Sequence, residues 1–163
     1  MQQNPLTNKK HRAFLALGSN LGDRQKTLLQ TVGLIERRIG QVSQKSSVIE
    51  TPAWGVTDLP DYLNQVLEVY TELWPLDLIK TTLEIENELG RERKQKWGSR
   101  SIDIDILYFN DWHFSTPGLI IPHPFIAQRD FVLRPLCEIA SDFEHPVLKQ
   151  NNFSLFSGLK HEQ

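Results

Sequence analysis

The segment 101–107, Ser-Ile-Asp-Ile-Asp-Ile-Leu, constrains the fold of this chain more than any other stretch of its sequence. Because the side chains of a β-strand point alternately to opposite faces, its isoleucines would share one face and Asp103 and Asp105 the other. The apolar face needs a layer of helices to cover it. The carboxylates would project side by side, about 6.5 Å apart along the strand. The pattern therefore predicts a half-buried strand that carries a pair of acidic side chains.

A cation-rich segment, 91–100, comes directly before this strand. It carries a single acid, Glu92, although the whole chain has a formal net charge of −2. Its cations are Arg91, Arg93, Lys94, Lys96 and Arg100. Close carboxylates repel each other and attract a compact divalent cation, which can bridge them to substrate phosphates. The junction predicts a site for phosphate and metal, in which Asp103 and Asp105 hold one Mg²⁺ ion or a pair about 4 Å apart.

Size and composition are typical of one globular domain. With 163 residues, 39% of them hydrophobic, the chain can bury a core without disulfides or a structural metal. We expect a single catalytic domain, residues 1–163, that acts as a monomer. The near-neutral charge argues against nucleic acid or an anionic membrane as the main partner. The lone Cys137 lies in an apolar run, which predicts a buried, inert thiol and fits a reducing compartment.

Both ends of the chain are polar. Residues 1–11 contain no apolar segment long enough for a secretion signal, and no other stretch approaches a membrane span. We therefore expect a loose N-terminal tail at 1–11, no membrane partner and a cytoplasmic location. In 149–163 the strong apolar anchors are Phe153, Leu155 and Phe156, which predicts light packing on the domain surface.

Hydrophobic periodicity and turn residues predict an α+β fold. The predicted elements are a strand at 12–17, a helix at 24–39, strands within 42–50 and 62–73, a helix at 75–90, a strand at 101–109, a short return strand after a turn at 110–111, an irregular proline-rich loop at 117–124 and a helix at 132–140. Asp23 is the predicted N-cap of the first helix and Gly40 its stop. The order strand, helix, strand, strand, helix, strand predicts a ferredoxin-like sandwich, with a mainly antiparallel sheet flanked by helices.

Five groups of residues, in this order along the chain, resemble the 6-hydroxymethyl-7,8-dihydropterin pyrophosphokinase family. They are Leu-Gly-Ser-Asn-Leu-Gly-Asp at 17–23, Asp-Tyr-Leu-Asn at 61–64, Gly-Arg-Glu-Arg at 90–93, Trp-Gly-Ser-Arg-Ser-Ile-Asp-Ile-Asp at 97–105, and Pro-His-Pro at 122–124 with Arg-Asp-Phe at 129–131. The resemblance implies an ATP-dependent enzyme of folate biosynthesis. Such an enzyme transfers the β,γ-diphosphate of ATP to the hydroxymethyl group of the pterin and releases AMP.

The resemblance also implies the site residues and a pair of Mg²⁺ ions. Asp103 and Asp105 would hold the metal. The implied catalytic residues are Arg91, Arg100, Asp103 and Asp105. The implied ATP-binding residues are Arg91, Arg93, Lys96, Trp97, Arg100, Ile106, His123 and Arg129. The implied pterin-binding residues are Thr51, Pro52, Trp54, Tyr62, Asn64, Asp103 and Phe131.

The chain departs from the family pattern at Ser99, where the family usually has proline, and at Lys96, which is often arginine. A lysine keeps the charge but loses the bidentate fork, so affinity for ATP is the property most affected. Glu86 matches a family position near the site, with a solvated helix face as the alternative. The segment 18–22 lacks the ending of a phosphate loop, and we expect it to be structural and near the pterin pocket.

Three other interpretations remain open at the level of sequence. The acidic strand could simply have a polar outer face, because Asp-x-Asp also occurs on ordinary edge strands. The chain could be another Mg²⁺-dependent nucleotide user, such as a nucleotidyl- or glycosyltransferase. It could also be a non-catalytic module, because ferredoxin-like sheets often bind RNA through exposed aromatics and basic patches.

Overall fold

The computed structural model describes residues 10–52, 61–90 and 101–161. The strands are β1 (His11–Ser19), β2 (Gly40–Lys45), β3 (Ile49–Thr51), β4 (Tyr62–Thr71), β5 (Asp103–Phe109), β6 (Phe114–Thr116) and β7 (Leu119–Ile121). The helices are α1 (Arg24–Arg38), α2 (Pro75–Gly90), α3 (Asp130–Ala140) and α4 (Asn152–His161), and a 3-10 turn lies at Ile126–Gln128. None of the described helices is long and apolar enough to cross a membrane.

The main sheet has the strand order β2-β4-β1-β5, with β3 paired to the start of β4. All of its pairings are antiparallel, and β1 lies between β4 and β5. This arrangement confirms the predicted ferredoxin-like α+β fold. The predicted strand at 42–50 is divided into β2 and β3, and between them the Ser46 hydroxyl oxygen accepts a hydrogen bond from the backbone N–H of Val66 at 2.9 Å.

Both faces of the sheet are covered by helices. Leu15, Leu17 and Ile104 pack into a core with the buried side chains of α1 and α2. Phe14 and Tyr108 pack on the opposite face with α3 and α4. The isoleucines of the segment 101–107 are at most 3% exposed, so its predicted alternation is confirmed.

Helix α1 begins as predicted, but its C-cap is Ile39 and Gly40 belongs to the next strand. The Asp23 carboxylate accepts a hydrogen bond from the Lys26 backbone N–H at 3.1 Å, which caps the first turn. Gly40 is the first residue of β2 and lies against β4. A Cβ atom at Gly40 would be 2.0 Å from the carbonyl oxygen of Tyr70. Glycine is therefore required there by the close approach of two backbones, and not by a helix stop.

Two described segments near the ends of the chain differ from expectation, while residues 1–9 of the expected tail lie outside the described residues. His11 belongs to β1 and is 5% exposed, so the expected loose tail is wrong at its last residue. The segment 149–163 was expected to pack lightly, but residues Asn152–His161 of it form α4. Asn152 fixes this helix, because its side chain accepts from the Tyr108 hydroxyl at 2.7 Å and donates to the Ala140 carbonyl at 2.8 Å. Leu155 is buried as expected, whereas Phe153 is 58% exposed and is not an anchor.

Two smaller expectations also differ from the structure. The strand after the turn at 110–111 does not return along β5. It is β6, which pairs with β7 in a separate two-stranded sheet, so part of the expected irregular loop is also strand. The turn residue Asn110 is held against β1, because its backbone N–H donates to the Arg12 carbonyl at 2.7 Å and its side-chain oxygen accepts from the Arg12 backbone N–H at 2.9 Å. Cys137 is only half-buried, and burial raises the pKa of its thiol.

Candidate functional site

A cavity of about 550 Å³ opens at the end of the sheet where β1 ends and β4 and β5 begin. It lies on the face that carries α3. The expected site residues that line it are Thr51, Pro52, Tyr62, Asn64, Asp103, Asp105, Arg129 and Phe131. The fold thus brings together residues from β3, β4, β5 and the start of α3.

The floor of this cavity is made by the small residues of β1. Ala16 is paired with Asp105, and Gly18 with Asp103. A Cβ atom at Gly18 would lie 3.4 Å from the Asn64 side-chain oxygen, so a methyl group there would already be in van der Waals contact with the wall. The sequence interpretation expected a structural role for 18–22 near the pocket but did not identify Ala16 and Gly18 as its floor. Their signal was the alternation of small and large residues along β1.

Other parts of the cavity wall combine polar and aromatic groups. The Asn64 side-chain amide donates to the Thr51 hydroxyl at 2.6 Å, which fixes its orientation. The pKa of Tyr62 is raised by burial and then by the neighbouring Asp103 carboxylate, so its hydroxyl keeps its proton near neutral pH. Phe131 lines the same cavity. The arrangement suits a flat ring that carries both donors and acceptors.

A second cavity, of about 280 Å³, lies beside the first. Its lining includes Ile79, Ile106 and His123. Asp105 lines both cavities, so a ligand in either one reaches the same carboxylate.

His123, which lines the smaller cavity, has an imidazole ring whose tautomer is set by a hydrogen bond. Its Nδ1 accepts a hydrogen bond from the backbone N–H of Phe125 at 3.1 Å. The neutral ring therefore carries its proton on Nε2, which is left as a donor. Burial lowers the pKa of His123. The Asp105 carboxylate raises this pKa in part, and the Arg129 guanidinium lowers it further.

Arg129 lies between the acidic strand and two aromatic rings. Its Nη1 is 4.0 Å from Oδ2 of Asp105, which is too long for a hydrogen bond. Its guanidinium carbon is 5.1 Å from the ring centroid of Phe125 and 5.7 Å from that of Phe131. The cation is thus near Asp105 without closing off that carboxylate.

Glu86 holds the strand that carries the two carboxylates. Its Oε1 accepts a hydrogen bond from the backbone N–H of Ile104 at 2.7 Å. Ile104 stands between Asp103 and Asp105, and β5 ends the strand order of the sheet. The helix α2 therefore anchors β5 through the amide between its acids. Glu86 therefore bonds to β5, and the alternative that its side chain lies on a solvated helix face is wrong.

The donors for a metal in the described part of the chain are carboxylates. No group of three or more histidine, cysteine, aspartate or glutamate residues that could enclose a metal ion is found among the residues described. Asp103 and Asp105, on one face of one strand, are oxygen donors that fit Mg²⁺ when phosphate oxygens and water complete its coordination. The expected residues Trp54, Arg91, Arg93, Lys96, Trp97 and Arg100 lie outside the described residues.

Comparison with known proteins agrees with this geometry. Residues 14–141 match the model of the 7,8-dihydro-6-hydroxymethylpterin-pyrophosphokinase family. A Bacillus subtilis protein named 2-amino-4-hydroxy-6-hydroxymethyldihydropteridine pyrophosphokinase is 45% identical over 133 residues, which are 81% of this chain and 80% of the relative. A protein of the same name from Aquifex aeolicus is 39% identical over 137 residues, covering 84% of this chain and 85% of the relative.

Solved structures share the fold at low sequence identity. The crystal structure of wild-type Plasmodium falciparum HPPK-DHPS superposes with a TM-score of 0.73 at 17% identity, over 92% of this chain and 45% of that one. A crystal structure of HPPK-DHPS in complex with substrates gives a TM-score of 0.75 at 17% identity, over 94% and 44%. The chain thus spans less than half the length of these structures. Since the matched stretch runs from β1 through α3 and includes both cavities, the chain belongs to the 7,8-dihydro-6-hydroxymethylpterin-pyrophosphokinase family.

Proposed function

We propose that this protein transfers the β,γ-diphosphate of ATP to the hydroxymethyl group of 6-hydroxymethyl-7,8-dihydropterin, releasing AMP, as a step of folate biosynthesis. The observation that carries the proposal is the pair of adjoining cavities that share Asp105 as a wall. Diphosphoryl transfer needs an acceptor and a nucleotide whose phosphates meet at one cation-binding point. The sequence relatives carry the name of this activity.

The pterin occupies the larger cavity in this proposal. Tyr62 and Phe131 offer aromatic faces to a flat bicyclic ring, and Asn64 and Thr51 offer polar atoms to its edge. Because the Tyr62 hydroxyl stays protonated, it acts as a donor and not as a second anion beside Asp103. The hydroxymethyl group of the pterin would then point to the carboxylate pair.

The nucleotide occupies the smaller cavity and the junction. The apolar side chains of Ile79 and Ile106 would contact the base. The Nε2–H of His123 and the Arg129 guanidinium would donate to phosphate oxygens, the latter through a fork that matches phosphate geometry. The arginines at 91, 93 and 100, which lie outside the described residues, would add to this cationic surface.

Asp103 and Asp105 would hold a pair of Mg²⁺ ions between the two substrates. When bound, Mg²⁺ neutralises charge on the transferring phosphates. The protein's own contribution is positional: β5 keeps the carboxylates on one face, and Glu86 fixes the strand between them. The oxygen of the pterin hydroxymethyl group then bonds to the β-phosphorus as the bond from β-phosphorus to the α,β-bridging oxygen breaks, the hydroxyl proton passes to water, and AMP leaves. No protein nucleophile takes part.

The alternative of an RNA-binding module is less well supported by the fold. Such modules stack bases on an open sheet face, whereas α1 and α2 cover one face of this sheet and α3 and α4 pack on the other. We further propose that the chain acts as a single-domain monomer. Size-exclusion chromatography with light scattering tests this, and a dimer mass at assay concentration would refute it.

The activity is tested by incubating the purified protein with ATP, Mg²⁺ and the pterin and separating the adenine nucleotides by chromatography. Pterin-dependent AMP that disappears when Mg²⁺ is omitted is the expected result. ADP would instead show an ordinary kinase at the same site. Absence of any pterin-dependent nucleotide product would refute the proposed function.

A further inference from the structure

Phe125 lines the larger cavity and contacts one lining residue of each cavity, His123 of the smaller and Arg129 of the larger. Its backbone N–H donates to Nδ1 of His123 at 3.1 Å, and the two rings have centroids 5.9 Å apart. The guanidinium carbon of Arg129 is 5.1 Å from the Phe125 ring centroid. Yet the ring is 51% exposed and lines the larger cavity, so it contributes little to the core. A large aromatic side chain at such a place needs an explanation other than core packing.

Arg129 depends on its aromatic neighbours for its position. Among the described residues its guanidinium makes no hydrogen bond, and its nearest carboxylate oxygen, on Asp105, is 4.0 Å away. Phe125 and Phe131 each lie within the distance at which a ring face attracts a cation, and Phe125 is the nearer of the two. A long side chain without such contacts would sample many rotamers.

We propose that Phe125 is a positioning residue, whose ring holds the Arg129 guanidinium at the junction of the two cavities so that it faces the nucleotide phosphates. This inference rests on the proposed function for its last step. The ring acts through Arg129 and touches no reacting atom. Its loss should therefore weaken the use of ATP more than the affinity for the pterin, whose cavity the ring also lines, and leave the overall fold nearly unchanged.

The variants Phe125→Leu and Phe125→Tyr distinguish the effect of the aromatic ring on Arg129 from the effect of side-chain size. Leucine keeps an apolar side chain and the backbone N–H to His123, whereas tyrosine keeps the ring. Phe125→Leu should lower kcat/KM for ATP by about two- to fivefold, which is the effect expected from the loss of one exposed cation–π contact. Phe125→Tyr should keep kcat/KM for ATP near the wild-type value. The matched control is Phe153→Leu on α4, which replaces a phenylalanine that is 58% exposed and lines neither cavity.

A double-mutant cycle tests whether the effect passes through Arg129. In an Arg129→Ala background, Phe125→Leu should have no further effect on kcat/KM for ATP. An equal loss in both backgrounds would overturn the proposal, because Phe125 would then act by another route. A loss in Phe125→Leu that tyrosine does not restore would overturn it as well.

A second readout needs neither substrate nor activity. In the NMR spectrum of the free protein, the Arg129 Nε–Hε signal should be displaced by the ring current of Phe125. The displacement should become smaller in Phe125→Leu, where the Phe131 ring remains 5.7 Å away, and persist in full in Phe125→Tyr and Phe153→Leu. An unchanged signal in Phe125→Leu would overturn the proposal even if turnover fell. If the protein formed no AMP, the proposed function would fail while this spectrum still decided the stacking.

Discussion

The hydrogen bond from Ile104 to Glu86 makes a prediction that can be worked out from the structure. Hydrogen bonds to charged groups contribute about 1.5–3 kcal/mol, and Glu86→Ala would leave the Ile104 amide without its 2.7 Å partner. The variant should therefore lose about 1.5–3 kcal/mol of unfolding free energy, or roughly 3–12 °C in Tm for a chain of this length. Glu86→Gln keeps a neutral acceptor and should lose about half as much.

The matched control for this prediction is Glu88→Ala on the same helix. Glu88 is 53% exposed and pairs with Arg38 at 3.2 Å, so its removal should cost about 0–1 kcal/mol. Unfolding free energies come from urea titrations followed by circular dichroism. Amide hydrogen exchange at Ile104 gives a local measurement, since Glu86→Ala should raise its rate and Glu88→Ala should not. Equal stabilities for the two variants, with the Ile104 amide still protected, would refute the reasoning.

Three further predictions concern the backbone, the pH dependence and the carboxylates. Gly40→Ala should destabilise the protein by about 1–3 kcal/mol or more, because its Cβ would be 2.0 Å from a β4 carbonyl oxygen. Gly33→Ala, in α1 with open space around it, should instead stabilise by about 0.5–1 kcal/mol, and calorimetry that ranked the two the other way would contradict the structure. Burial lowers the pKa of His145 from its usual 6.5, so the unfolded chain binds protons more readily and stability should fall as pH drops from 6.5 through the folded pKa. Urea titrations across that window should show a weaker pH dependence in His145→Asn, and parallel curves would rule this out. Asp105→Asn should lower pterin-dependent AMP formation by about 10²-fold or more while leaving the Tm within a few degrees, and near-normal turnover would exclude a metal role for that carboxylate.

The features that could be predicted from the sequence are those with a local cause. The alternation at 101–107 placed the isoleucines in the core, and the periodicity of 24–39 with Asp23 before it gave α1. Each follows from a regular repeat or a cap within a few residues. The resemblance to a family then grouped Tyr62 and Phe131, which lie far apart in the chain and line one cavity.

The features that were missed have causes distant in the chain. Of the apolar side chains of α4, Leu155 is buried and Phe153 is exposed, and the helix is fixed by the bonds of Asn152 to Tyr108 and Ala140. The need for glycine at position 40 comes from a carbonyl on β4, and the strand β6 finds its partner in β7 and not in β5. None of these partners can be read from the segment itself. Tertiary contacts decided each case.

The small residues of β1 have a consequence for ligand binding. Ala16 and Gly18 alternate with Leu15 and Leu17, which are at most 2% exposed in the core. One side of the central strand is thus locked by packing while its other side forms the floor of the cavity. A ligand that docks on this floor meets a preorganised surface and orders few protein groups there, so little of its affinity is lost to conformational entropy. Compounds that contact Ala16 and Gly18 should gain more affinity from a rigid scaffold with good shape complementarity than from flexible polar substituents.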